Sequence, residues 1–143
     1  MINTLTILTW MSKRAYLAPY ADDESAKKAA TKLWNAIDGS EIMLFILMVV
    51  LTCIICWCYF FPFNKKPGRH YHPKWWWLFG VISLVATFVM SYVACNVMAK
   101  NPGFDIGFLF KVSAINTFYA AFIYAIVSMI INRTKKSNAY PYI

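Results

Sequence analysis

Acidic side chains are scarce: the chain carries six Asp and Glu against fourteen Lys and Arg, and only two histidines, in 143 residues. Every Asp, Glu and His falls in a loop or near the end of an apolar run. No pair of carboxylates therefore shares one depth, no nucleophile stands beside a base, and the five glycines form no phosphate-cradling loop. These absences point to a non-enzyme without a cofactor. Charged residues make up only 14% and hydrophobic residues 60%, whereas soluble domains have about 25% and 45–50%. The low charge and 18% aromatic content exclude a disordered chain. The length allows one domain-sized unit. Internal repeats and low-complexity tracts are missing. The mildly apolar start, MINTLTILTWM, has no positive segment before it and no small-residue cleavage site after it, which argues against a secretory signal peptide.

What the chain has in quantity is long apolar sequence, with a mean hydropathy of +0.50. Residues 42–61 (IMLFILMVVLTCIICWCYFF) contain no charge and make a helix of about 30 Å, the thickness of a bilayer's hydrocarbon core. Residues 75–99 open with three tryptophans, which favour the headgroup level. Residues 106–131 carry only Lys111, close enough to the start to snorkel. Asp105 is placed to cap this third helix, and Asn101-Pro102-Gly103 signals a tight turn, so spans two and three should form an antiparallel hairpin. Ahead of the spans, residues 22–37 have helical periodicity. Acids occupy the first turn, Ala26, Ala30, Leu33, Trp34 and Ile37 share one face, Lys27, Lys28 and Lys32 the other, and Gly39 stops the helix. An amphipathic helix next to a span lies in the membrane interface, with Asp38-Gly39-Ser40 as the elbow. The expected fold is an all-α membrane protein: an arm and interfacial helix over 1–40, a three-span transmembrane domain over 41–136, and a short tail over 137–143.

Charge distribution suggests an orientation. Lys65, Lys66, Arg69, Lys74, Arg133, Lys135 and Lys136 fall on one side of a three-span chain with no acid among them, while all six acids fall on the other with seven basic residues. The amino terminus is then outside and the carboxyl terminus inside, in a bacterial inner membrane or, as the second choice, a mitochondrial one. The net charge of +8 becomes an inner-leaflet feature that attracts anionic lipid, not nucleic acid. On that side Asn132-Arg133-Thr134, a glycosylation sequon by pattern, would not meet the transferase.

Three groups of residues could carry chemistry. Cys53, Cys56, Cys58 and Cys95 lie at depths too different for a disulfide between spans, lack further metal ligands, and read as small apolar residues. His70 and His72 flank Tyr71 without a third ligand. They fit better in a headgroup cluster with Lys65, Lys66, Arg69, Lys74, Trp75, Trp76 and Trp77. Polar residues within the spans are the third group. Gly80, Ser83, Thr87, Ser91 and Ala94 form a stripe on span two. Ser113, Thr117, Ala121 and Ala125 form one on span three, flanked by Asn116, Tyr124 and Ser128. Such faces suit close helix packing, or the lining of an oligomeric pore. Span one offers only Thr52 and reads as peripheral. The expected role is a non-catalytic accessory or assembly subunit, partnered by other membrane subunits or by copies of itself. The alternative is a homo-oligomeric channel or pore-forming effector.

Overall fold

The computed structural model describes residues 11–64, 72–100 and 104–135. The first ten residues, most of the basic loop, the 101–103 turn and the tail, all of which enter the expectations above, lie outside the described residues. The described chain is all-helical. Helix α1 (Lys13–Leu17) is capped by Ser12, whose Oγ accepts from Ala15 N at 3.2 Å, and runs into a 3-10 turn over Ala18–Tyr20. Helix α2 (Glu24–Asp38) begins at Asp23, whose Oδ1 accepts from the amides of Ser25 and Ala26 and from the Ser25 hydroxyl. Those bonds, led by the hydroxyl, lower the Asp23 pKa from its ordinary value. Gly39 ends α2 by donating to Asn35 O. Helices α3 (Glu41–Cys58), α4 (Pro73–Ala99) and α5 (Ile106–Lys135) follow.

Three helical stretches, Glu41–Phe63, Pro73–Ala99 and Ile106–Arg133, are long and apolar enough to cross a membrane. The first is longer than its sequence suggested because α3 continues into a π-helical turn, Tyr59–Phe63. Pro62 has no N–H to donate, so the α-helical ladder cannot run through it. The backbone and side-chain amides of Asn64 both donate instead to Tyr59 O, five residues back, at 3.2 and 2.7 Å. At the third span, Asp105 caps α5 as its position predicts, with Oδ1 accepting from Phe108 N at 2.9 Å.

Helices α4 and α5 meet at Trp76 and Ser128, at Gly80 and Tyr124, and at Ser91 and Asn116, so partner numbers fall as residue numbers rise. Helix α3 is no peripheral strut. Leu44, Met48, Thr52, Cys56 and Tyr59 are all fully buried. A helix made almost entirely of large apolar residues offers no polar contrast by which its inward face could be picked out, and shape alone selects these positions.

Two apolar clusters close the ends of the bundle. At one end the predicted face of α2 (Ala30, Leu33, Trp34, Ile37) packs with Leu44, Cys95, Ala99, Phe108, Leu109 and Val112, joined by Tyr16 from the arm. That face is covered by the chain itself. At the other end Cys56, Tyr59, Phe60 and Tyr124 gather Phe63, Trp75, Trp76 and Phe79 around them. Cys56 and Cys95 thus belong to opposite ends.

Candidate functional site

Two constellations combine burial with polar chemistry, and the first is the seam between the spans. Ser83, Thr87 and Ser91 are fully buried on α4, and the stripe continues through Cys95 and Ala99 at the same four-residue spacing. Ala94, assigned to this stripe from sequence, is only half-buried. On α5 the buried face runs through Leu109, Ser113, Asn116, Ala120, Tyr124 and Ser128. Thr117, Ala121 and Ala125 are half-buried beside it, so the face is rotated by about one residue from a stripe chosen for small size. The reason is Tyr124. Its ring lies over Gly80, where an added Cβ would approach Cε1 to 3.3 Å. Its hydroxyl donates to Trp76 O at 3.0 Å. Asn116 Nδ2 donates to Ser91 Oγ at 3.3 Å. The hydroxyls of Ser113, Thr117 and Ser128 donate back to carbonyls of their own helix.

The second constellation joins the arm to the third span, and sequence reasoning missed it. Asp105 uses both carboxylate oxygens. Oδ1 caps α5, while Oδ2 accepts from the hydroxyls of Tyr16 at 3.1 Å and Tyr20 at 3.0 Å. Tyr16 also stacks at 4.3 Å on Phe108 and at 5.4 Å on Trp34. Burial first, then the neighbouring carboxylate, raises the Tyr16 pKa from its ordinary value, and burial and the Asp105 hydrogen bond do the same for Tyr20. An open pocket of about 310 Å³ beside this junction is lined by Tyr16, Tyr20, Asp105, Phe108 and Lys111, among others. The four-residue spacing of Tyr16 and Tyr20 was the available signal, but nothing in sequence tied it to Asp105.

No protein family, curated protein or solved structure matches this chain.

Of the residues assigned to a headgroup cluster, Lys65, Lys66, Arg69 and His70 lie outside the described residues. Trp77 is exposed, as are His72 and Lys74. Lys74 Nζ stands 5.5 Å from the Trp75 ring centroid. Trp75 and Trp76 are half-buried: Trp75 packs edge-on to Phe63 at 5.1 Å, and Trp76 Nε1 donates to Ser128 Oγ at 3.2 Å. Glu41 stands at the start of α3, as its position predicts, and is only 7% exposed, with its Oε2 lacking a hydrogen-bond partner among the described residues.

Proposed function

We propose that the protein is a non-catalytic integral membrane accessory or assembly subunit, built as an antiparallel α4–α5 hairpin braced by α3 and roofed by an interfacial α2. The observation that carries this reading is the direction in which polar groups face. Thr52, Ser83, Thr87, Ser91 and Asn116 are fully buried inside one chain. The outward faces carry Val81, Val85, Val89, Val93 and Val97 on α4, and Phe110, Phe118, Phe122, Ile126 and Ile130 on α5. A pore shared between copies needs its hydroxyls on an outward face. Here the outward faces suit lipid and the apolar flanks of other spans.

Lys74 and Arg133 belong to the bundle end that Trp76 and Ser128 share, in line with a basic, inward-facing side that attracts anionic lipid. The reading then has the amino terminus outside and the membrane a bacterial inner one, with the mitochondrial inner membrane as the other candidate.

Cross-linking in native membrane followed by intact-mass determination tests the assignment. One copy of this chain among foreign subunits supports it. A closed ring of identical chains, with unitary currents in planar bilayers that change on Thr117→Asp, replaces it with the channel.

A further inference from the structure

Four polar atoms in the middle of the bundle have no hydrogen-bond partner among the described residues: Thr52 Oγ1, Ser83 Oγ, Thr87 Oγ1 and Asn116 Oδ1. All four side chains are fully buried. They also fall in one layer. Tyr59 stacks near Phe79 at 5.4 Å, and Leu44 joins the cluster that contains Cys95, so Thr52 on α3 lies at a depth between Phe79 and Cys95. Ser83 and Thr87 share that interval on α4. Asn116 is fixed at the level of Ser91 by its own hydrogen bond. From Ser83 to Ser91 the layer is about 12 Å deep at 1.5 Å per residue, and each of the three spans sends at least one unpartnered oxygen into it.

The contrast with the other hydroxyls is informative. Ser113 and Thr117 turn back to carbonyls four residues earlier on α5, at 2.8 and 2.9 Å. Thr52, Ser83 and Thr87 make no such bond, and Asn116 uses its Nδ2 on Ser91 and leaves Oδ1 unmatched. In hydrocarbon a polar atom must find its partner inside the protein, because bulk water is excluded and an unmade bond is costly.

A ligand for this layer must be small, must donate to Asn116 Oδ1, which only accepts, and must both donate to and accept from hydroxyls. Water does all three. An alkali cation would suit neutral oxygens, but no carboxylate among the described residues lies in this layer to offset its charge. We propose that the three spans bind ordered internal water between Thr52, Ser83, Thr87 and Asn116. The site is closed at one end by Leu44, Leu109 and Val112 and at the other by Tyr59, Phe60 and Tyr124. The water is therefore a sealed hydrogen-bonding link among the helices and not a stretch of an open conduit. It stands whether or not the protein is a subunit of a larger complex.

Water-selected nuclear Overhauser spectroscopy on the labelled full chain in lipid nanodiscs tests this directly. Long-lived cross-peaks are expected from water to the methyl groups of Thr52, Thr87 and the buried Ala120, and none to Val85, which faces outward on the same stretch of α4. In the triple variant T52V/S83A/T87V the Ala120 cross-peak should vanish. Wild-type spectra with no water peak at Thr52, Thr87 and Ala120 overturn the proposal, whether or not the variant folds. A saturable shift at Thr52, Thr87 and Asn116 when potassium is replaced by sodium overturns it in favour of a cation.

Discussion

Tyr124 lies across Gly80, with its Cε1 only 3.3 Å from where a Cβ would stand, and it donates to the carbonyl of Trp76, one helical turn before that glycine. The contact couples the smallest residue of α4 to a large side chain of α5. Leu in place of Gly80 must displace the ring and break the hydrogen bond, at a cost of about 1–3 kcal/mol. Tyr124→Phe should cost about 1 kcal/mol. Gly80→Ala should be close to neutral, since the ring has to give by only a few tenths of an ångström while alanine gains about 1 kcal/mol of helix propensity. Denaturation in mixed micelles measures all three, and equal stabilities for Gly80→Leu and Gly80→Ala would contradict the contact.

Asp105 both caps α5 and anchors the arm, and two substitutions separate these roles. Asp105→Ala removes the cap and both tyrosine acceptors and should cost about 1–3 kcal/mol. Asp105→Asn keeps an Oδ1 for the cap and should cost less, about 1 kcal/mol. Tryptic cleavage after Lys13 and Arg14 provides the readout, with the order Ala faster than Asn faster than wild type. If both variants resist trypsin as well as the parent, Asp105 does not hold the arm.

Arm docking should also respond to alkali. Tyr16 and Tyr20 have folded pKa values above their ordinary 10.0. The neutral phenols are thus favoured in the docked state, and their contribution is complete below the unfolded pKa and declines as the pH rises past it. Spin labels at Arg14 and Ala114 should report a fixed distance at neutral pH that broadens above about pH 10. The double variant Tyr16→Phe, Tyr20→Phe should give a looser distance with no such break. A wild-type distance unchanged through strong alkali would sink the idea.

Bulk on the seam should be felt where bulk on the outer face is not. Thr87 is fully buried and Val85 is 58% exposed. Thr87→Leu should cost about 1–3 kcal/mol through overpacking, whereas Val85→Leu stays within about 0.5 kcal/mol. The same denaturation assay compares the two, and matching losses would mean that the α4 stripe is not an interface.

Much of this architecture is legible in sequence because its signals are local. The apolar stretches mark the three long helices, Asp105 announces a cap, and α2 reveals its face through alternating Lys and apolar positions. Ser83, Thr87 and Ser91 declare themselves by being polar in an apolar helix. Where that contrast fails, so does the reading: Leu44 and Met48 look no different from the exposed Ile46 and Val50 beside them. On α5, smallness points to Ala121, but the buried neighbour is Ala120, because the position of Tyr124 over Gly80 sets the rotation of the helix. The Tyr16–Tyr20–Asp105 junction spans more than eighty positions of sequence, beyond any local pattern.

The buried positions of α4 recur every four residues from Ser83 to Ala99, whereas one helical turn takes 3.6. A row with that spacing drifts around its helix by about 40° at each step. The small hydroxyl residues occupy the middle of the row, while the aromatic groups around Tyr16, Trp34 and Phe108 and around Tyr59, Trp75 and Phe79 belong to the two end clusters. One of those clusters, built on the π-helical turn and its neighbours, continues directly from the spans. The other is completed by the amino-terminal arm, so that arm does more than decorate the surface: through Tyr16 it supplies a core side chain to that end of the bundle.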